Sequence, residues 1–271
     1  MKISVIIPTY KPDTYIWECL DSIRNQTFPK EAFELILVLN GCKEPYYSQI
    51  REYINKDLIG YNVNFIQTDV GGVSNARNMA LDVAKGEYVT FIDDDDYISP
   101  SFLEELSSKA TQDVVAISNA KAFRDGSVDE VAYSLTKYFS IYSDSGDKQK
   151  FYNCRKFFSG PVMKLFHRNI IGDRRFDTRF KNGEDNLYMF LISDRLRYVS
   201  FTSNRAVYHR RYRANSAMMK PRPTSEKVRN SINIIKECIV IYTRGGYSFN
   251  FFVTRILAEI KFILMSILKR K

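Results

Sequence analysis

An α/β fold with a mostly parallel sheet flanked by helices, followed by a helical C-terminal extension, is what three features of the sequence predict. Short apolar runs alternate with helical patterns over the first hundred residues. The connections between those runs are long enough for right-handed crossovers. The last segment, from about Thr224, reads as two helices separated by Gly245-Gly246.

The elements follow in order. Ile3 to Ile7 is a buried strand ended by Pro8, and residues 13 to 25 carry helical spacing at Ile16, Cys19, Leu20 and Ile23. Leu35 to Leu39 is the second strand, followed by a polar helix. Val63 to Gln67 is the third strand, a helix runs from about Val73 to Ala84, and Tyr88 to Ile92 is the fourth strand. Their carboxyl ends read Pro8-Thr9-Tyr10, Asn40-Gly41, Asp69-Val70-Gly71-Gly72 and Asp93 to Asp96. In open parallel sheets that is the edge where ligands bind. Beyond Pro100 the pattern loosens into an α+β region. It has a strand near Val114 to Ile117, a polar stretch around Asp144 to Lys150, an apolar run at Val162 to Phe166 and a helix from Glu184 to Ser193.

The chain has 271 residues, 45% hydrophobic, with 40 Lys/Arg against 31 Asp/Glu and a formal charge of +9. That composition supports a sizeable core and excludes disorder and collagen-like repeats. The charge is unevenly spread. Residues 205 to 271 hold fifteen Lys/Arg and only Glu226, Glu237 and Glu259, a surplus of twelve, which leaves the body at −3. A basic tail on a slightly acidic body points to a docking segment attached to a part that does chemistry. Cys19, Cys42, Cys154 and Cys238 are widely spaced, so neither a zinc site nor a disulfide framework is indicated, and a reduced, cytoplasmic setting is expected. The apolar run at the start is too short for a secretory leader, and Arg255, Glu259 and Lys261 interrupt the most apolar stretch, Phe249 to Leu268.

Asp93-Asp94-Asp95-Asp96 directly follows the fourth strand. Adjacent carboxylates repel one another. On a bare surface they form a solvated loop; at a strand's carboxyl end they suit a hard cation such as Mg²⁺ or Mn²⁺ that bridges to phosphate. Asp185, in Asn182-Gly183-Glu184-Asp185, opens a helix, where the macrodipole favours an acid whether or not it is catalytic. His209 sits in a basic stretch, Val207 to Arg213, as either a surface residue or a ligand. His167 belongs to the scaffold of the second half.

Four motifs resemble family 2 glycosyltransferases: Val5 to Tyr10, Gly71-Gly72-Val73-Ser74-Asn75-Ala76-Arg77-Asn78, Gly86 to Tyr97, and Asn182 to Asp185. They occur in the expected order over residues 1 to about 215. The resemblance implies a GT-A fold, Rossmann-like, with nucleotide-sugar donors and inversion at the anomeric carbon. It divides the chain into a nucleotide-sugar-binding half (1–99), an acceptor-binding and catalytic-base half of the same domain (100–215) and a basic amphipathic tail (216–271). It assigns Pro8, Thr9 and Tyr10 to the donor base, Arg77 to the base and phosphates, and Asp93 and Asp94 to the nucleotide sugar. Asp95 and Asp93 would hold Mn²⁺ or Mg²⁺, with Asp96 in support, and a late histidine, His209, would complete the metal shell. Asp185 would be the general base, with Glu184 beside it. Asn40 departs from the family's usual Asp, and an amide offers a base edge both a donor and an acceptor. Arg210, Arg211 and Arg213 would turn inward to the diphosphate.

Placed on a helix, Phe249 to Lys271 puts Ser248, Arg255, Glu259 and Ser266 on one narrow stripe, with apolar residues over most of the rest. Such a helix either packs on the body or lies in a membrane interface. A lipid-linked acceptor would have to be met there, so docking at the inner face of the cytoplasmic membrane is expected. No nucleic-acid readout motif accompanies the basic residues, and the sheet's ligand edge is acidic. A sugar nucleotidyltransferase would need a glycine-rich phosphate loop near the N-terminus, which is missing; a catalytically inactive sugar-binding relative stays an alternative, although the acids expected for metal and base are all present. The sequence therefore implies an inverting transferase that moves a sugar, from UDP by expectation, to a hydroxyl of a lipid-linked or growing surface glycan such as O-antigen or capsule.

Overall fold

The computed structural model describes residues 1–127, 129–143, 148–214 and 221–268. Its first part is four strands joined by three crossovers: β1 (Ile3–Thr9), α1 (Tyr15–Arg24), β2 (Phe33–Asn40), α2 (Tyr46–Asp57), β3 (Asn62–Thr68), α3 (Val73–Val83) and β4 (Tyr88–Phe91). The four strands are parallel, as their apolar runs predict, and stand in the order β3-β2-β1-β4. β1 and β2 are buried along their whole length, which is why neither alternates polar and apolar residues.

Pro8 does not end β1. The strand runs on through Pro8↔Val38 and Thr9↔Leu39 against β2. The pairing of β1 with β4 has already stopped at Ile6↔Phe91, where the Ile6 carbonyl accepts from the Ile92 N–H. Alternate residues face alternate neighbours, so Pro8 turns the side that lacks a donor toward the flank where β4 has ended. Gly86 explains another piece of motif. A Cβ there would lie 2.4 Å from the Ser4 nitrogen, so only glycine lets the chain enter β4 so close to β1.

The second part comprises β5 (Tyr97–Ile98), α4 (Phe102–Lys109), β6 (Val114–Ile117), β7 (Asn119–Arg124), β8 (Glu130–Val131), α5 (Ser134–Ser143) and β9 (Gln149–Lys150). It continues with β10 (Lys164–His167), α6 (Arg168–Ile171), α7 (Glu184–Leu191), β11 (Tyr198–Phe201) and β12 (Val207–Tyr212). β10 lies antiparallel between β4 and β6, so the sheet extends without a break as β3-β2-β1-β4-β10-β6-β11-β9. A second sheet, β5-β12-β7-β8, was not legible in the sequence. Its strands are short, and β12 carries the basic run Tyr208 to Tyr212, which has no apolar periodicity. The helix expected to reach Ser193 ends at Leu191 and gives way to a 3-10 turn at Ser193–Arg195.

The C-terminal segment forms the expected pair, α8 (Thr224–Tyr242) and α9 (Phe249–Leu268), packed on each other, with α8 also against α7. The boundary at residue 215/216 and the cationic end Lys269 to Lys271 lie outside the described residues. Phe251 anchors α9, buried edge-on against Phe151 with ring centres 5.0 Å apart. The polar stripe faces inward: Arg255 reaches Asn186, and Glu259 accepts a hydrogen bond from buried Ser231. The apolar flank faces out, and seven large apolar side chains between Leu257 and Leu268 are 41–71% exposed. Among the described residues no helix is long and apolar enough to cross a membrane.

Candidate active site

The carboxyl ends of β1, β2 and β4 meet at one polar cluster. The Thr9 hydroxyl donates to Asp94 Oδ2 at 2.5 Å. The amide of Asn40 donates to the Thr9 carbonyl at 2.7 Å and accepts from the Gly72 N–H at 2.8 Å. Asn40 is only 3% exposed. The side chain expected to read a base edge thus ties the end of β1 to the loop that starts α3. Two glycines make that joint possible: Gly41 has φ +65°, and a Cβ on it would sit 2.8 Å from the Gly71 Cα. Tyr10, 53% exposed, stands at the mouth.

Arg77 rises from α3 into the centre of the site and is 2% exposed. Its Nη1 donates to Asp185 Oδ1 at 2.5 Å and its Nη2 to Asp93 Oδ1 at 2.9 Å. Its plane lies 5.2 Å from the Phe176 ring, which stacks on Tyr188. Asn78, one residue on, grips the Phe176 backbone through both ends of its amide. The arginine assigned to donor base and phosphates is therefore engaged between two carboxylates. Burial, which disfavours its charge, is outweighed by Asp185 and Asp93, and its pKa is raised.

The acidic run is fastened residue by residue. Asp93 pairs with Arg77, and its N–H donates to the Tyr208 hydroxyl, which in turn donates to Asp96. Asp95 pairs with Arg213 at 2.6 Å. Asp96 is 4% exposed and accepts from the Arg211 N–H at 2.7 Å. Asp94 is pushed up to about 7 by burial, with Asp95 and Asp93 adding to the rise and Thr9 opposing it. Asp95 and Asp96 are raised for the same first reason and by their acidic neighbours. Arg211 and Arg213 do turn toward the run, Arg211 donating to the Asp95 carbonyl and Arg213 to the Asp95 carboxylate; Arg210 donates to the Tyr133 hydroxyl.

His209 lies in β12 opposite Tyr97, the residue that follows the tetrad. Its ring stacks on Tyr97 at 4.4 Å, nearly parallel, and burial pushes its pKa down to about 4, leaving a neutral imidazole. The cationic partners found at the tetrad are Arg77 and Arg213. His167 accepts from the Asn169 N–H at the start of α6 and lies edge-on to Tyr88, as a scaffold residue.

Among the described residues no three carboxylate, imidazole or thiol groups converge into a cage of protein ligands alone. The tetrad nevertheless fits a cation that takes much of its shell from phosphate and water, as Mg²⁺ does with one or two carboxylates. Three clustered acids held above their ordinary range by burial and mutual repulsion would be relieved by added positive charge.

The opposite wall is the first turn of α7. Gly183 takes φ +82°, and a Cβ there would meet the Ile234 side chain of α8 at 2.4 Å, so α8 packs directly on the residue that starts the helix. Asn230 of α8 donates to the Asn182 carbonyl. Glu184 is raised to about 7 by burial and then by Asp185, and its Oε2 is buried without a hydrogen-bond partner among the described residues. Asp185 is raised by burial against the opposing pull of Arg77 and Lys164. With Oδ1 bonded to Arg77, its Oδ2 faces Gly160, where a Cβ would sit 3.6 Å away.

Several members of the site escaped sequence reasoning. Tyr208 and Phe176 carry no local signal. Lys164 does, as a lone charge in the apolar run Val162 to Phe166; it is 1% exposed and donates to the Gly160 and Val162 carbonyls. Arg255, the one charge in residues 249–258, is the other.

Residues 4–174 match the sequence model of Glycosyl transferase family 2. Poly(ribitol-phosphate) beta-N-acetylglucosaminyltransferase TarS of Staphylococcus aureus is 28% identical over 214 residues, 77% of this chain and 35% of that protein. GalNAc(5)-diNAcBac-PP-undecaprenol beta-1,3-glucosyltransferase of Campylobacter jejuni is 29% identical over 203 residues, 73% of this chain and 62% of that protein. The crystal structure of S. aureus TarS 1-349 in complex with UDP-GlcNAc superposes with a TM-score of 0.69 at 26% identity, over 88% of this chain and 67% of that one. The chain spans about a third of the length of the TarS protein it matches.

Proposed function

The chain belongs to the family 2 glycosyltransferases, and we propose that it transfers a sugar, with inversion, from a nucleoside diphosphate donor to an acceptor hydroxyl. The observation that carries this is the placement of Asp185 and the Asp93–Asp96 run on opposite sides of Arg77. An in-line displacement needs a base at the attacking hydroxyl and charge neutralisation at the leaving diphosphate. Asp185 Oδ2 would take the hydroxyl proton, while Arg77 holds Oδ1 and keeps the carboxylate oriented. Asp95 and Asp93 would hold Mn²⁺ or Mg²⁺, with Asp94 and Asp96 supporting. When bound, such a cation supplies Lewis-acid stabilisation of the departing diphosphate.

UDP is the proposed nucleotide, because the TarS structure at TM-score 0.69 holds UDP-GlcNAc. Tyr10, exposed at the end of buried Pro8 and Thr9, would stack on the base. The acceptor is proposed to be a surface polymer or lipid-linked glycan. The names of the two relatives, one acting on poly(ribitol-phosphate) and one on an undecaprenol-linked glycan, support that class. α9 supports membrane docking, since it spends its polar stripe on the body and leaves its apolar flank outside, beside a strongly basic segment. The working place would then be the inner face of the cytoplasmic membrane. A panel of nucleotide sugars with Mn²⁺, read by thermal shift and donor hydrolysis, tests the central claim. UDP-sugars should stabilise the chain and be turned over; a panel that produces neither effect would overturn it.

A further inference from the structure

We propose that Arg255 of α9 is a positioning residue for the base: one guanidinium fixes both segments that enclose Asp185. This rests on Asp185 being the base, as proposed above. Nη1 donates to Asn186 Oδ1 at 2.5 Å, and Asn186 directly follows Asp185 in the first turn of α7. Nη2 donates to the Phe158 carbonyl. Phe158 lies two residues before Gly160, whose vacant Cβ position faces Asp185 Oδ2 at 3.6 Å. Lys164 completes that turn with bonds of 2.9 Å to the carbonyls of Gly160 and Val162. The free oxygen of the base thus looks across a narrow gap whose two sides are both held by Arg255.

A guanidinium is an expensive means of fastening a helix. Burial pulls its pKa down to about 10 against the favourable charge of Glu259, and its plane lies 4.7 Å from the Phe251 ring. An aliphatic side chain would pack α9 without that desolvation cost. What it would not supply is a planar fork of donors directed at two separate backbone segments. Positioning errors near 1 Å reduce turnover strongly even when the chemistry is intact. The acidic run and the nucleotide edge on β1, β2 and β4 have no bond to Arg255, so donor binding is expected to be independent of it.

The test compares wild type, Arg255→Met and Arg255→Lys for kcat, donor KM and melting temperature. Arg255→Met should lower kcat by about 10- to 100-fold while donor KM stays within about twofold. Arg255→Lys, one point charge that serves one partner at a time, should recover part of the rate. A lower melting temperature with unchanged kcat would make Arg255 a fastener of α9 only and overturn the proposal. If Arg255→Met shows no cooperative melt, Asn186→Ala, which cuts only the α7 arm, is read by the same criteria, and unchanged kcat again overturns it. A wild-type chain that turns over no donor would instead overturn the assignment of Asp185, and the role of Arg255 with it.

Discussion

Asp93 at the end of β4 and Asp185 at the start of α7 are joined by one buried guanidinium, that of Arg77, at 2.9 and 2.5 Å. The two carboxylates are 92 residues apart in the chain, and no spacing rule connects them. Their common partner makes the two walls of the site a single electrostatic unit.

Arg77→Met should therefore damage fold and activity together. Removing the guanidinium leaves two partly solvated carboxylates facing each other, a loss on the order of 2–4 kcal/mol in stability. Chemical denaturation and transfer rate measured on the same preparation check this. Wild-type stability in the variant would show that the bridge contributes nothing.

Asp185→Asn keeps an acceptor for Arg77 but cannot take a proton. Turnover is expected to fall by about 10²- to 10⁴-fold with nucleotide affinity unchanged. Retention of the wild-type rate would move the base elsewhere, with Glu184 the next carboxylate to test.

Asp95→Asn should separate cation from nucleotide. In the wild type, stabilisation by UDP should grow on adding Mn²⁺, because a cation links the diphosphate to the clustered acids. In the variant the Mn²⁺-dependent increment should shrink while any cation-free increment persists. Equal increments in both proteins would remove Asp95 from the cation site.

Lys164 gives a pH signature of stability. Burial lowers its pKa from 10.5 to about 7, and the nearby Asp185 opposes the fall while Arg255 adds to it. Between those values the unfolded chain holds a proton that the folded chain has lost, so stability rises with pH across that window. Against Lys164→Met, which cannot titrate, the wild type should gain on the order of a few kcal/mol between pH 7 and pH 10. Denaturation midpoints that run parallel in the two proteins would contradict a buried, titrating lysine.

Leu264→Gln combined with Met265→Gln addresses the outer flank of α9, where the two side chains are 55% and 46% exposed. Each buried apolar side chain contributes about 1.5–3 kcal/mol, so co-sedimentation with phosphatidylglycerol vesicles should weaken at least about tenfold. Unchanged vesicle binding would exclude this flank as the lipid contact. A loss of self-association in sedimentation velocity would assign it to a second copy of the chain.

The parallel strands β1 to β4 were legible because apolar runs followed by polar ends are a local pattern. The acidic run announced itself by its place at the carboxyl end of a strand, and Asp185 by its family-like motif. The small sheet of β5, β12, β7 and β8 was not legible. Two of its strands have two residues each, and in basic β12 Arg211 pairs with Glu18 of α1 and with Asp125, partners far off in the chain. Asn40 and His209 were visible as residue types but not as partners: one amide is used within the fold, and one imidazole is stacked on Tyr97.

The sequence by itself determined the fold class, the edge of the sheet that carries polar chemistry, the acidic run, and a tail with a polar stripe on an apolar helix. Tertiary structure decided which way each of these faces. It turned the stripe of α9 inward, because Arg255 and Glu259 find partners on α7, α8 and the 158–164 turn, and so left the apolar flank outside. It also made Arg77 the link between Asp93 and Asp185. Pairing of that kind depends on distances across the fold, which periodicity along a chain does not encode.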